Sequence, residues 1–220
     1  MKILSLSPSD AVGHLSVHAI RTPQLNIRKG AMISTEDAAS MIEAGISEII
    51  SAVADEGDVH EDEACDVLAG LLGGEHIAFS PASTGRVNFT SQCLGLLRYD
   101  TEKLKQINLI DEGITLALVQ HNQLLAPGDM AATLKIIPLF ISRASLEKVA
   151  SLLAKTQLFA IHPLSSKKAR LIQTRFEHQS PAMFDATAAV TQERLAKLGS
   201  QLEENKVIEH SLVTDMDQAY

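Results

Sequence analysis

The chain has 220 residues, 45% of them hydrophobic and 21% charged, which is an ordinary globular balance with enough length to bury a core in one large or two small domains. Its formal net charge of −8 and the lack of a basic patch argue against nucleic acid and against an anionic membrane surface as partners. No run approaches the roughly 20 apolar residues that a spanning helix needs, and the opening "MKILSLSPSD" is too short for a secretory leader. Cys65 and Cys93 stand far apart without a CxxC motif, as expected of a reduced, cytoplasmic protein.

In chain order, "GHLSVHAIRT" (13–22) alternates Leu15, Val17 and Ala19 with polar neighbours and reads as a half-buried strand. "NIRKGAMIS" (26–34) carries Gly30 at a turn into another short strand. The spacing predicts a helix over 34–46, with Ser34 or Thr35 as cap, Glu36 and Asp37 at its positive end and Gly45 as its stop. A strand over 46–54 follows. Within 60–74, Ala64, Cys65, Val67, Leu68, Leu71 and Leu72 recur at helical spacing after Asp58 or His60, and Gly73-Gly74 end the helix.

The middle reads as strands over 75–80, 94–100, 114–120 and 130–142, with a turn at "APGD" (126–129). A short helix over 101–108 takes Thr101 as cap, and an amphipathic helix over 145–155 takes Ser145. A strand at 167–176, a helix at 185–204 and a strand at 206–215 then set out β-α-β order, and "MDQAY" opens what reads as another helix. The expected fold class is α+β. A mixed, β-barrel-like unit with short helices occupies 1–156, and the start of a doubly wound α/β domain occupies 157–220. Two strands cannot complete a two-sided parallel sheet, so the remainder is expected from another chain or from sequence cut away.

Four stretches carry candidate chemistry. "EGDVHEDEACD" (56–66) packs six carboxylates around His60. On a helix, Asp58, Asp62 and Asp66 would stack on one face and offer oxygen ligands to magnesium. The alternative is an acidic helix start. In "PASTGRVNF" (81–89), Thr84 and Gly85 let backbone N–H groups approach an anion, Arg86 can fork onto phosphate and Asn88 adds an amide; the alternative is a turn with a surface arginine. Asp111 and Glu112 precede a strand and can share a pocket only if Gly113 makes a turn; otherwise they lie in a solvated loop. Lys135 lies in an apolar strand, either snorkelling from an edge or aimed at an anion, and Pro138 also suggests an edge or bulge. His14, His18, His121 and His162 lack metal spacing. There is no catalytic triad order, nucleophile elbow, P-loop or dinucleotide fingerprint.

The segments "RKGAMISTEDAASMIEAGISEI" (28–49), "DVHEDEA" (58–64), "STGRVN" (83–88), "IDEGITLAL" (110–118) and "ATLKIIPLFI" (132–141) occur in an order that resembles the N-terminal region of MoeA-like molybdopterin-binding proteins. "DAVGHLSVHAIR" (10–21) is similar to their opening, and "RLIQTRF" (170–176) with "DATAAVTQERLAKLGS" (185–200) to the start of their pterin-binding α/β domain. The family's TGG-x-G phosphate loop does not occur in the chain. The resemblance implies molybdenum cofactor biosynthesis: binding of a phosphorylated pterin, nucleotide or adenylylated molybdopterin, and molybdate insertion aided by Mg2+. On that basis Thr84, Gly85, Arg86, Asn88 and Lys135 are expected to bind the ligand. Asp58, Asp62, Asp66, Asp111 and Glu112 are expected to hold the cation, in a homo-oligomer. A molybdotransferase-like activity follows only if the resemblance extends to chemistry. The alternative is a non-catalytic binding or assembly module completed by a partner chain.

Overall fold

Turn residues and helix caps divide the N-terminal third into short elements. The computed structural model describes residues 1–154 and 157–209. It begins with β1 (Lys2–Leu6), β2 (Leu15–Ser16), β3 (Ile20–Arg21), β4 (Asn26–Ile27), α1 (Thr35–Glu43) and β5 (Ile49–Val53). Ser34 and Asp37 close a reciprocal capping box on α1, which satisfies two N–H groups that a helix start leaves without partners. Gly45, at φ 75°, turns the chain out of that helix. The strand expected over 13–22 is broken into β2 and β3. Leu25, Ile27, Ile33, Met41 and Ile49 bury one another in a small core of their own.

The central elements are β6 (Asp58–His60), α2 (Glu61–Leu72), β7 (Ile77–Phe79), β8 (Arg86–Ser91), β9 (Gly95–Tyr99), α3 (Thr101–Ile110), β10 (Ile114–Leu118), β11 (Leu124–Leu125), β12 (Met130–Ile136), β13 (Phe140–Ser142), α4 (Arg143–Leu153) and β14 (Phe159–Pro163). A four-stranded antiparallel sheet in the order β10-β12-β8-β7 turns Val87, Phe89, Leu116, Leu134 and Ile136 inward. There they meet Ala64, Cys65, Leu68 and Leu72 of α2. Each such fully buried large side chain contributes about 1.5–3 kcal/mol.

The sheets are open, and none closes into a barrel among the described residues. The single strand expected over 130–142 is two, because Pro138 lacks an N–H and the chain bends between β12 and β13. Lys135 is therefore not on an edge: β12 is flanked by β10 and β8. Asp100, not Thr101, caps α3, accepting from the N–H groups of Glu102 and Lys103. Ser142, not Ser145, caps α4, accepting from the Ser145 N–H.

After these come β15 (Lys168–Arg175), α5 (Pro181–Lys197) and β16 (Gln201–Glu209). β15 and β16 run parallel with α5 between them in sequence, as the β-α-β pattern predicts. The helix stops earlier than 204 because Gly199 adopts φ 69° and releases the chain into β16. The helix expected from "MDQAY" and the end of the 206–215 strand lie outside the described residues. Among the described residues no helix is long and apolar enough to cross a membrane.

Candidate functional site

Ser83 to Arg86 form a two-residue hairpin turn. Thr84 (φ 49°) and Gly85 (φ 66°) both take left-handed conformations, the geometry that matches the twist of paired strands. Ser83 and Arg86 exchange backbone hydrogen bonds of 3.0 and 3.2 Å across it. A Cβ on Gly85 would collide with the Glu61 carboxylate and lie 2.7 Å from the Ile136 carbonyl, so only glycine fits.

The turn sits on the first turns of α2. Asp62 accepts from the Gly85 N–H at 2.6 Å, and Asp66 accepts from the Ala82 N–H at 3.1 Å. Lys135 reaches the same place from β12, donating to the Thr84 carbonyl and pairing with buried Glu61 at 3.4 Å. Thr84, Gly85, Lys135, Asp62 and Asp66 are thus brought together. The anions that meet the turn's N–H groups here are the protein's own carboxylates. Asn88 lies two residues along β8, accepting from the Thr133 hydroxyl at 2.9 Å. Arg86 stands opposite Lys135 in the ladder with its side chain exposed, and it has no carboxylate partner among the described residues.

The other expected acids are elsewhere. Asp58 does not share a helical face with Asp62 and Asp66, because it lies in β6 before the helix begins. Its carboxylate is 2.7 Å from the Met1 amine and accepts from the Asp55 N–H. Hydrogen bonds to Asp58 and Asp55 hold that amine above its usual pKa. His60 caps α2, its Nδ1 accepting from the Asp62 N–H at 3.2 Å. Asp111 folds the turn before β10, accepting from the Gly113 N–H at 2.9 Å and the Ser145 hydroxyl at 2.5 Å. Glu112 is exposed. These five acids form no common cage, and no group of three or more His, Cys, Asp or Glu among the described residues could hold a metal ion. Burial pushes the Cys65 thiol up to about 11, which makes it an inert core residue.

Comparison with family models, with curated proteins and with solved structures gives no match to this chain.

A second concavity was not singled out by the sequence motifs. An open groove of about 920 Å³ lies at the carboxyl ends of β15 and β16, lined by Arg175, Phe176, Glu177, His178, Gln179 and Glu209 together with Pro181. Arg175 and Glu209 end their strands opposite one another and form an ion pair through the arginine Nε and Nη2 atoms. The Phe176 and His178 rings stack at 6.1 Å and 24°. Ser180 precedes α5 without a side-chain cap bond, and Pro181 fills the first helical position, where no N–H is required. The signal that could have found this groove is topological: parallel strands joined through a helix leave a crevice beyond their carboxyl ends.

Proposed function

We propose that the chain acts in molybdenum cofactor biosynthesis as a MoeA-like protein that binds a phosphorylated pterin or adenylylated molybdopterin and assists molybdate insertion. The observation that carries this reading is the parallel β15-α5-β16 unit, following an α+β region in the order that the sequence resemblance implies. The groove at the strand ends has the size of a small-molecule site. It offers a guanidinium, an imidazole and an amide, which suit phosphate and a heteroaromatic ring. A ligand phosphate would replace Glu209 as the partner of Arg175, while exposed Arg86 is a second cationic contact to be compared with it. The acids at 58, 62, 66, 111 and 112 are committed or dispersed, so no step of the proposed role passes through a cation that they hold.

The test is thermal melting of the full chain with AMP or molybdopterin, with and without magnesium. At about one hundred times its dissociation constant a ligand adds about 2.7 kcal/mol, a clear rise in melting temperature. Arg175→Ala removes the rise if the groove is the site, and Arg86→Ala removes it if the hairpin is. The reading fails if neither ligand raises the melting temperature, or if neither substitution alters the rise.

A specific observation favours an assembly module as the second reading. Met183, Val190 and Val207 are 46%, 45% and 40% exposed on a two-stranded sheet and its helix. Self-association in sedimentation that Val190→Glu abolishes, without ligand-induced stabilisation, would favour this alternative.

A further inference from the structure

We infer that a cleft between β9, β14 and the start of α3 is a binding site for a phosphate group, separate from the groove at the ends of β15 and β16. The cleft has a volume of about 690 Å³ and is lined by Arg98, Tyr99, Lys103, Gln157 and His162. Its floor is fixed, because Leu158 and Phe159 are each only 2% exposed. Strand register places the arginine and the histidine. Ala160 faces Arg98 and Leu96 faces His162, so Arg98 and His162 share one sheet face as diagonal neighbours. Such neighbours stand about 7–8 Å apart at their backbones, a gap that one tetrahedral anion can bridge through two long side chains. Half-buried Lys103 lines the cleft from the first turn of α3, and Tyr99, paired with Phe159 on the other face of the sheet, makes an edge contact with the His121 ring at 5.0 Å.

Charge distribution strengthens the assignment. The chain carries a net −8, yet among the described residues the only carboxylate lining this cleft is Asp100. That carboxylate is committed to capping α3, where it accepts from two N–H groups at 3.1 and 3.0 Å. Arg98 is exposed, with no carboxylate partner among the described residues. A guanidinium and an imidazole on one sheet face, with a lysine and an amide lining the same concavity, recognise a phosphate or a phosphomonoester.

The experiment is an NMR titration of the full-length, 15N-labelled chain with inorganic phosphate and, separately, phenyl phosphate, at ionic strength matched with chloride. Saturable shifts at Arg98, Tyr99 and His162 are expected. Arg98→Ala should weaken binding about tenfold or more, and Arg98→Lys should restore part of it. Arg175→Ala should leave it unchanged, which separates this site from the groove proposed above. Tighter binding of phenyl phosphate identifies a phosphomonoester site, and equal binding identifies a site for phosphate itself. Shifts that chloride reproduces, no saturation up to about 10 mM, or an unchanged dissociation constant in a folded Arg98→Ala variant would overturn the inference.

Discussion

At the scale of single residues, Asp62 decides how the hairpin turn is held. Gly85 is buried, so its N–H has lost water and depends on the Asp62 carboxylate 2.6 Å away. Hydrogen bonds to charged groups contribute about 1.5–3 kcal/mol, and a buried donor left without a partner costs a similar amount. Asp62→Ala should therefore destabilise the fold by about 2 kcal/mol in urea denaturation. Asp62→Asn keeps a side-chain acceptor and should lose less. A loss below about 0.5 kcal/mol for the alanine variant would show that water satisfies Gly85 instead. The chemistry of this cluster was legible in the sequence: small residues that expose N–H groups, acids that accept from them, and a lysine in an apolar strand. Its self-satisfaction was not, because nothing in "STGRVN" indicates that the turn lands on α2. That contact joins residues 23 positions apart, through packing that local pattern does not encode.

At the scale of elements, caps and periodicity set what could be read. α1 and α2 were plain, since each pairs an acidic first turn with apolar residues at helical spacing. β8 was hidden by the turn chemistry before it, although Val87, Phe89 and Ser91 alternate with Arg86, Asn88 and Thr90 in burial. β1 had no such signal: four of its five residues are exposed, so apolar alternation does not mark it. The starts of α1, α2 and α3 were placed within a residue, whereas α4 begins at 143 rather than 145 and α5 at 181 rather than 185, and the capping side chain was misassigned at α3 and α4. At α3 the carboxylate of Asp100 precedes Thr101 and reaches two N–H groups, whereas the threonine is already in the helix. Asp100→Ala should cost about 1 kcal/mol, and Thr101→Ala only a few tenths. Equal losses in paired thermal melts would refute Asp100 as the cap.

At the scale of the whole molecule, the β-α-β order was legible because a strand, a helix and a strand in succession form a parallel pair through local chain reversal. The barrel-like closure expected of the first unit was not realised, because closure depends on which distant edges meet, and β7 and β10 instead end their sheet unpaired with each other. The same division governs stability. Among the described residues, every fully packed residue of the main core lies between Val59 and Ile161, and none comes from β15, α5 or β16. In α5 only Phe184 is buried among the apolar residues. Among the described residues the approach of this unit to the first is slender: a Cβ placed on Gly199 would stand 3.7 Å from the Leu94 side chain. A chain shortened to residues 1–164 should therefore keep a cooperative thermal transition. For a protein of this size about 1 kcal/mol corresponds to about 2–4 °C, so the midpoint should fall by no more than about 5 °C. Dispersed amide resonances for β8, β10 and β12 should persist in the shortened chain. If the transition instead broadens and those resonances collapse, the last unit supports the core through contacts stronger than the approach of Gly199 to Leu94.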